Sequence, residues 1–146
     1  MNLVRAVEIS LIVYATDGSR HARRALDWVA DIAPRRRARV VIVTAYEPIP
    51  RDLGSPFQEE LMSKRPAEAQ ALVQEAAQVL DRRGIPHEEE VLEGPAAEAI
   101  LQVARVRRAD LIVMGSRGLG RIEAALLGSV SQRVVQEAPC PVLIVR

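Results

Sequence analysis

Apolar residues along this chain fall into two alternating patterns. Four short runs, at 9–14, 40–45, 111–114 and 142–145, are nearly unbroken, rich in β-branched side chains and free of helical spacing. Runs of that kind suit parallel strands covered on both faces. A fifth segment, 88–92, joins Glu88, Glu89 and Glu90 to Val91 and Leu92. Its charge fits an edge strand, where it discourages pairing with another chain. Between the runs the spacing turns helical. Ser19 stands as an N-cap, and Ala22, Ala25, Leu26, Val29, Ile32 and Ala33 then follow one helix face. Pro66 opens a second helix with Ala69, Leu72, Val73, Ala76 and Leu80 as its stripe, and Gly84 closes it. Pro95 starts a third helix, carrying Ile100, Val103 and Ala104; a fourth begins near Ser129 and ends before Pro139. The alternation β-α-β-α-β-α-β-α-β predicts an α/β domain with a parallel sheet and right-handed crossovers.

Two stretches interrupt this regularity. Residues 47–65 hold Pro48, Pro50, Gly54 and Pro56 and read as a long connection; connections of that length usually cover a site or move. The other stretch, 115–128, is rich in glycine. Arg35, Arg36 and Arg37 follow Pro34 in what reads as a turn, and form a surface cluster.

Composition removes whole classes of function. A chain of 146 residues, 49% hydrophobic and 27% charged, is predicted to form a single soluble domain over 1–146. Twenty Lys+Arg against nineteen Asp+Glu leave a net charge of +1, which argues against a mainly electrostatic nucleic-acid binder. No apolar run approaches the length of a bilayer span, and the first residues lack the apolar core of a signal peptide. The expectation is a cytoplasmic protein with neither a membrane nor a nucleic-acid partner. A single cysteine, Cys140, excludes an intrachain disulfide, and two histidines leave little for a structural zinc site. Lys64 is the only lysine. The Gly-Lys-Ser/Thr of a P-loop is therefore absent, and Asp17-Gly18-Ser19 after the first strand cannot serve as a dehydrogenase glycine fingerprint.

The chemistry gathers after the fourth strand, in Gly115-Ser116-Arg117-Gly118, nine further residues, then Gly128-Ser129. Glycine permits positive φ and close approach of a ligand to the backbone. A helix start offers unpaired N–H groups and the positive end of the macrodipole. On these grounds Gly115 and Gly118 would admit a phosphate, while Gly128, Ser129, Val130 and Ser131 supply donors. The residues alone support a second reading equally, a loop with turn glycines and a serine cap.

The same residues give the chain a resemblance to the universal stress proteins. ATP-binding members of that family carry glycine, two residues, glycine, nine residues, glycine, then serine or threonine, and Gly115, Gly118, Gly128 and Ser129 match this spacing without insertion. The likeness extends to Thr16-Asp17-Gly18-Ser19, to Gly94-Pro95 and to the closing Pro139-Cys140-Pro141 with its apolar strand. It implies an open five-stranded parallel sheet in the order 3-2-1-4-5 with helices on both faces, and ATP held with magnesium or manganese where strands one and four diverge. Carried over by residue, Ala15 and Thr16 would line the base pocket, Ala45 would offer backbone atoms to adenine, and Met114 would cover it. Asp17 would contact the ribose or the metal-bound phosphates. Gly115, Arg117, Gly118, Gly128, Ser129, Val130 and Ser131 would hold the ribose and phosphates, with Arg121 a further loop cation reaching either phosphate or solvent. The family also implies a homodimer through the C-terminal strand and an unidentified protein partner.

Other candidates are weaker. Asp17, Ser19 and His21 lie close in sequence, yet serine hydrolases assemble their triads from distant segments. His87 with Glu88, Glu89 and Glu90 reads as a solvated edge, Trp28 as partial core, and Cys140 as more buried than reactive. Two functions remain open. One is an ATP-binding stress-response module acting through partners. The other is a slow ATPase or self-phosphorylating enzyme with Ser129 or Ser131 as acceptor. A ligand-free structural dimer stands behind both.

Overall fold

A computed structural model describes residues 3–118 and 127–146. Its elements are β1 (Leu11–Ala15), α1 (Arg20–Arg36), β2 (Arg39–Tyr46), α2 (Phe57–Arg82), β3 (His87–Glu93), α3 (Ala96–Val106), β4 (Leu111–Gly115), α4 (Ser129–Glu137) and β5 (Val142–Val145). All strand pairs are parallel and the sheet order is β3-β2-β1-β4-β5. The charged strand falls at one edge, as its composition predicts.

Side-chain alternation along each strand builds two cores. Ile12, Tyr14, Val40 and Ile42 face α1 and α2, packing on Val29, Ala33, Val73 and Leu80. Val13, Val41, Val43 and Ile112 face α3 and α4, packing on Ile100, Val103, Ala104 and Val134. The central strands are apolar on both faces because both faces are covered. At the β3 edge the glutamates are paired: Glu88 with Arg39 and Arg107, and Glu90 with Arg107. The Arg107 hydrogen bond and charge hold the Glu88 carboxyl below the usual range. Among the described residues no metal-binding cluster exists there.

Several boundaries differ from the sequence reading. α1 runs through Pro34 to Arg36, with Arg37 at φ 54 as its cap. Pro34 lies in the last turn on the exposed side, so its missing N–H weakens only the helix end. α2 begins at Phe57 and passes through Pro66. Its buried residues start only at Ala69, so the first turns present no apolar stripe for a sequence pattern to detect. Those turns are held locally, with Glu59 and Glu60 at the positive helix end and a Ser55–Glu59 hydrogen bond of 3.0 Å. Trp28 is 52% exposed rather than part of the core. Cys140 is half-buried, and desolvation raises its thiol pKa.

The order of strands fixes where a ligand site can form. β1 and β4 are neighbours, and the chain leaving β1 crosses toward β2 while the chain leaving β4 crosses toward β5. Their carboxyl ends therefore flank a crevice at a switch point.

Candidate functional site

The loop after β1 is shaped by its own polar groups. The Thr44 hydroxyl donates to the Thr16 carbonyl at 2.6 Å, and the Thr16 N–H donates to the Val43 carbonyl at 3.0 Å, tying the ends of β1 and β2 together. Asp17 Oδ1 accepts the Ser19 N–H at 2.9 Å, and Thr16 Oγ1 accepts the Gly18 N–H at 3.2 Å. This turn needs φ +79 at Gly18, a conformation that favours glycine. Ser19 then caps α1 by accepting the Ala22 N–H at 3.2 Å, as expected from sequence.

Across the crevice, α4 starts without such a cap. Its N-cap residue is Gly128, and no side chain caps it. The first-turn N–H groups have no acceptor within the helix, and the dipole places positive potential there. Within that turn, the Ser131 hydroxyl is buried and donates to the Ser116 carbonyl at 2.7 Å, also approaching the Gly128 carbonyl at 3.1 Å. That hydroxyl is thus committed to the fold; Ser129 is exposed at the rim.

Between these walls lies a cavity of about 270 Å³. Its apolar part is formed by Ala15, Val43, Ala45, Ile100 and Met114, and its polar part by Thr16, Asp17, Arg117, Gly118, Ser129 and the start of α4. Ala15, Thr16, Asp17, Ala45, Met114, Gly115, Arg117, Gly118, Gly128, Ser129, Val130 and Ser131 all line this one space. Ser19, Ala22, Val43, Thr44, Ala96 and Ile100 line it too. These residues lie in or beside strands and helices far apart along the chain, and only the strand order shows that they converge. Arg121 lies outside the described residues.

The three motif glycines line the cavity and differ in what surrounds each of them. None of them adopts positive φ. A Cβ on Gly115 would stand 2.8 Å from the backbone of His21 and Ala22, so this glycine lets α1 rest on the end of β4. A Cβ on Gly118 would collide with Asp17 Oδ2. Gly128 has no such conflict, its nearest neighbour being the Arg117 Cα at 3.4 Å.

Two titratable groups stand behind the lining. Tyr14 is buried, donates its hydroxyl to the Ala22 carbonyl at 2.6 Å, and has its pKa pushed by desolvation to about 12. His21 Nδ1 lies 2.9 Å from Ser116 Oγ. Desolvation, then the charges of Arg117, Arg20 and Arg24, lower its pKa below the ordinary 6.5, with Asp17 opposing them. Asp17 is the only carboxylate among the described lining residues. One carboxylate suits a cation delivered with phosphate oxygens, the usual way magnesium is held.

Comparison with known proteins agrees with this architecture. The model of the universal stress protein family matches residues 9–146. A universal stress protein of Thermus aquaticus is 49% identical over 92% of this chain and 97% of its own length. A universal stress protein solved in complex with cAMP is 32% identical, covering 94% of this chain and 97% of that one at a TM-score of 0.73. One from Lactobacillus plantarum shares the fold at a TM-score of 0.86 and 23% identity, over 97% of this chain and 100% of that one.

Proposed function

This chain belongs to the universal stress protein family, and we propose that it is an ATP-binding regulatory module of that family. The observation that carries the reading is one cavity lined both by apolar side chains and by the uncapped start of α4. Such a space suits a flat base at one end and an anion at the other. Ala15, Val43, Ile100 and Met114 take the adenine ring, with the Ala45 backbone at its edge. Asp17 faces the ribose or the phosphate-borne metal. Gly118, Arg117 and the amides of Ser129, Val130 and Ser131 hold the phosphates. The cAMP-bound relative supports adenine and phosphate as the ligand's parts.

Magnesium or manganese arriving with the nucleotide would neutralise phosphate charge, and Asp17 is the residue placed to meet it. Its carboxylate is already oriented by the Ser19 N–H. The described lining holds neither lysine nor histidine. Fast phosphoryl transfer calls for a firmly held metal and a group that orients the attacking water. The site accordingly reads as one that holds nucleotide and turns it over slowly if at all, with Ser129 the hydroxyl open to any self-phosphorylation.

Calorimetry with ATP, AMP and cAMP in magnesium tests this. Saturable heat is expected, and ligand at a hundred times its Kd adds about 2.7 kcal/mol of stability. Neither heat nor thermal stabilisation at millimolar nucleotide would replace this reading with a structural dimer.

A further inference from the structure

Ser116 follows β4 directly and is 1% exposed. Its N–H donates to the Val145 carbonyl at the end of β5, at 2.7 Å. Its carbonyl accepts the Gly128 N–H and the Ser131 hydroxyl, both at 2.7 Å. Its own hydroxyl meets His21 Nδ1 at 2.9 Å. One residue thereby joins β5, the start of α4 and the first turn of α1. Neither Ser116 nor His21 lines the cavity; they stand behind Gly115, Arg117 and Gly118 on one side and the α4 amides on the other.

Two hydrogen bonds that tie α4 to the loop both end on the Ser116 carbonyl. The direction of that carbonyl therefore sets where the α4 amides point relative to Gly118 and Asp17. The residue is held on its backbone side by β5 and on its side-chain side by His21. His21 is itself fixed by close packing, because α1 sits against Gly115 with no room for a Cβ. Anion-binding amides act best when they converge before the ligand arrives, since ordering them afterwards subtracts from affinity.

We infer that the His21–Ser116 pair is the positioning device of the nucleotide site, fixing the loop after β4 against the start of α4 so that both halves of the phosphate cradle are aligned in advance. This rests on the nucleotide reading above. The pair touches no ligand; it acts through the Ser116 carbonyl and the α4 amides.

The test combines Ser116→Ala, His21→Leu and His21→Asn. Asparagine places an amide near the position of Nδ1 and can restore the hydrogen bond to Ser116. ATP affinity is measured by calorimetry, the unfolding midpoint of the nucleotide-free protein by thermal melt, and the Gly128 amide by hydrogen exchange. Loss of one hydrogen bond corresponds to a roughly five- to tenfold weaker Kd for Ser116→Ala and His21→Leu. Near-native affinity is expected for His21→Asn, with a midpoint only a few degrees lower and faster Gly128 exchange in the first two variants. Unchanged affinity in Ser116→Ala and His21→Leu overturns the inference. So does a fall in affinity that follows the midpoint and is not rescued by asparagine, which marks a merely structural contact. If the native protein binds no adenine nucleotide, the functional reading fails, and the pair is judged by Gly128 alone: faster exchange upholds its role in ordering the loop, unchanged exchange overturns it.

Discussion

The three motif glycines give three separable outcomes when each is replaced by alanine. At Gly115 the added methyl meets the backbone of His21 and Ala22, and backbone yields only by moving α1. A loss of about 1–3 kcal/mol follows, the usual cost of overpacking. At Gly118 the methyl meets Asp17 Oδ2, a side chain able to turn away, so the fold survives while the carboxylate leaves its position and nucleotide affinity falls. At Gly128 the nearest atom is 3.4 Å away and φ is −72, so unfolding stability should stay close to that of the native chain. Thermal melts and nucleotide titrations on the three variants check the order. Equal effects at all three positions would contradict the geometry. The spacing of these glycines is legible in the sequence, whereas Val43, Thr44, Ala96 and Ile100 join the crevice only through the strand order. The individual roles of the glycines are not legible, because the atoms that fill the space beside Gly115 belong to α1, far away along the chain. The Ser131 hydroxyl is illegible for the same reason: its acceptor, the carbonyl of Ser116, comes from another element.

Elements were readable in proportion to how much of their surface is buried. β2, β4 and α3 pack on both cores or along a full stripe, and their sequence patterns locate them closely. The first turns of α2 carry no fully buried residue, so the apolar pattern places the helix start at Pro66, which lies inside the helix. α1 carries a different kind of information in its first turn, which contains no acidic residue but does contain His21. A protonated imidazole there is disfavoured first by desolvation, then by the charges of Arg117, Arg20 and Arg24, and it meets the positive end of the helix dipole. Asp17 across the loop opposes them only in part. With the folded pKa below 6.5, the unfolded chain takes up the proton first as pH falls. Stability from this group is therefore full above about pH 6.5, declines as pH drops below it, and levels off once the folded pKa is passed. Urea titrations of the native chain and His21→Asn between pH 7.5 and about 5 should converge in stability difference above the window and separate within it, the variant losing less. A difference independent of pH would show that His21 titrates alike in both states.

At the scale of the whole molecule the sheet has two open edges of opposite character. β3 is guarded by Glu88 and Glu90 with Arg107 across them. β5 is Val142-Leu143-Ile144-Val145, half-buried for three of its four residues, with no charged side chain in the strand. The charge of β3 marks it as an edge from composition alone, but that β5 takes the other edge comes with the family's sheet order, which the fold bears out. An apolar, unguarded edge is a template for pairing with another chain, and we propose that two copies pair β5 to β5 in an isologous homodimer. The hydrogen-bond pattern shows which groups would make the contact. Pro141 and Val145 turn their carbonyls toward β4, as acceptors for Ile112 and Ser116. With strand alternation, the N–H and C=O of Ile144 then face the open side. Ile144→Pro removes an outward N–H while leaving the β4 ladder intact, a position where an edge strand tolerates proline. Light scattering at micromolar concentration should give a dimer mass for the native chain and a monomer mass for Ile144→Pro. The variant should keep its nucleotide affinity within a few-fold, since β5 contributes no lining residue to the cavity. A native chain that scatters as a monomer defeats the β5 pairing. A variant that stays dimeric moves the interface elsewhere on the surface.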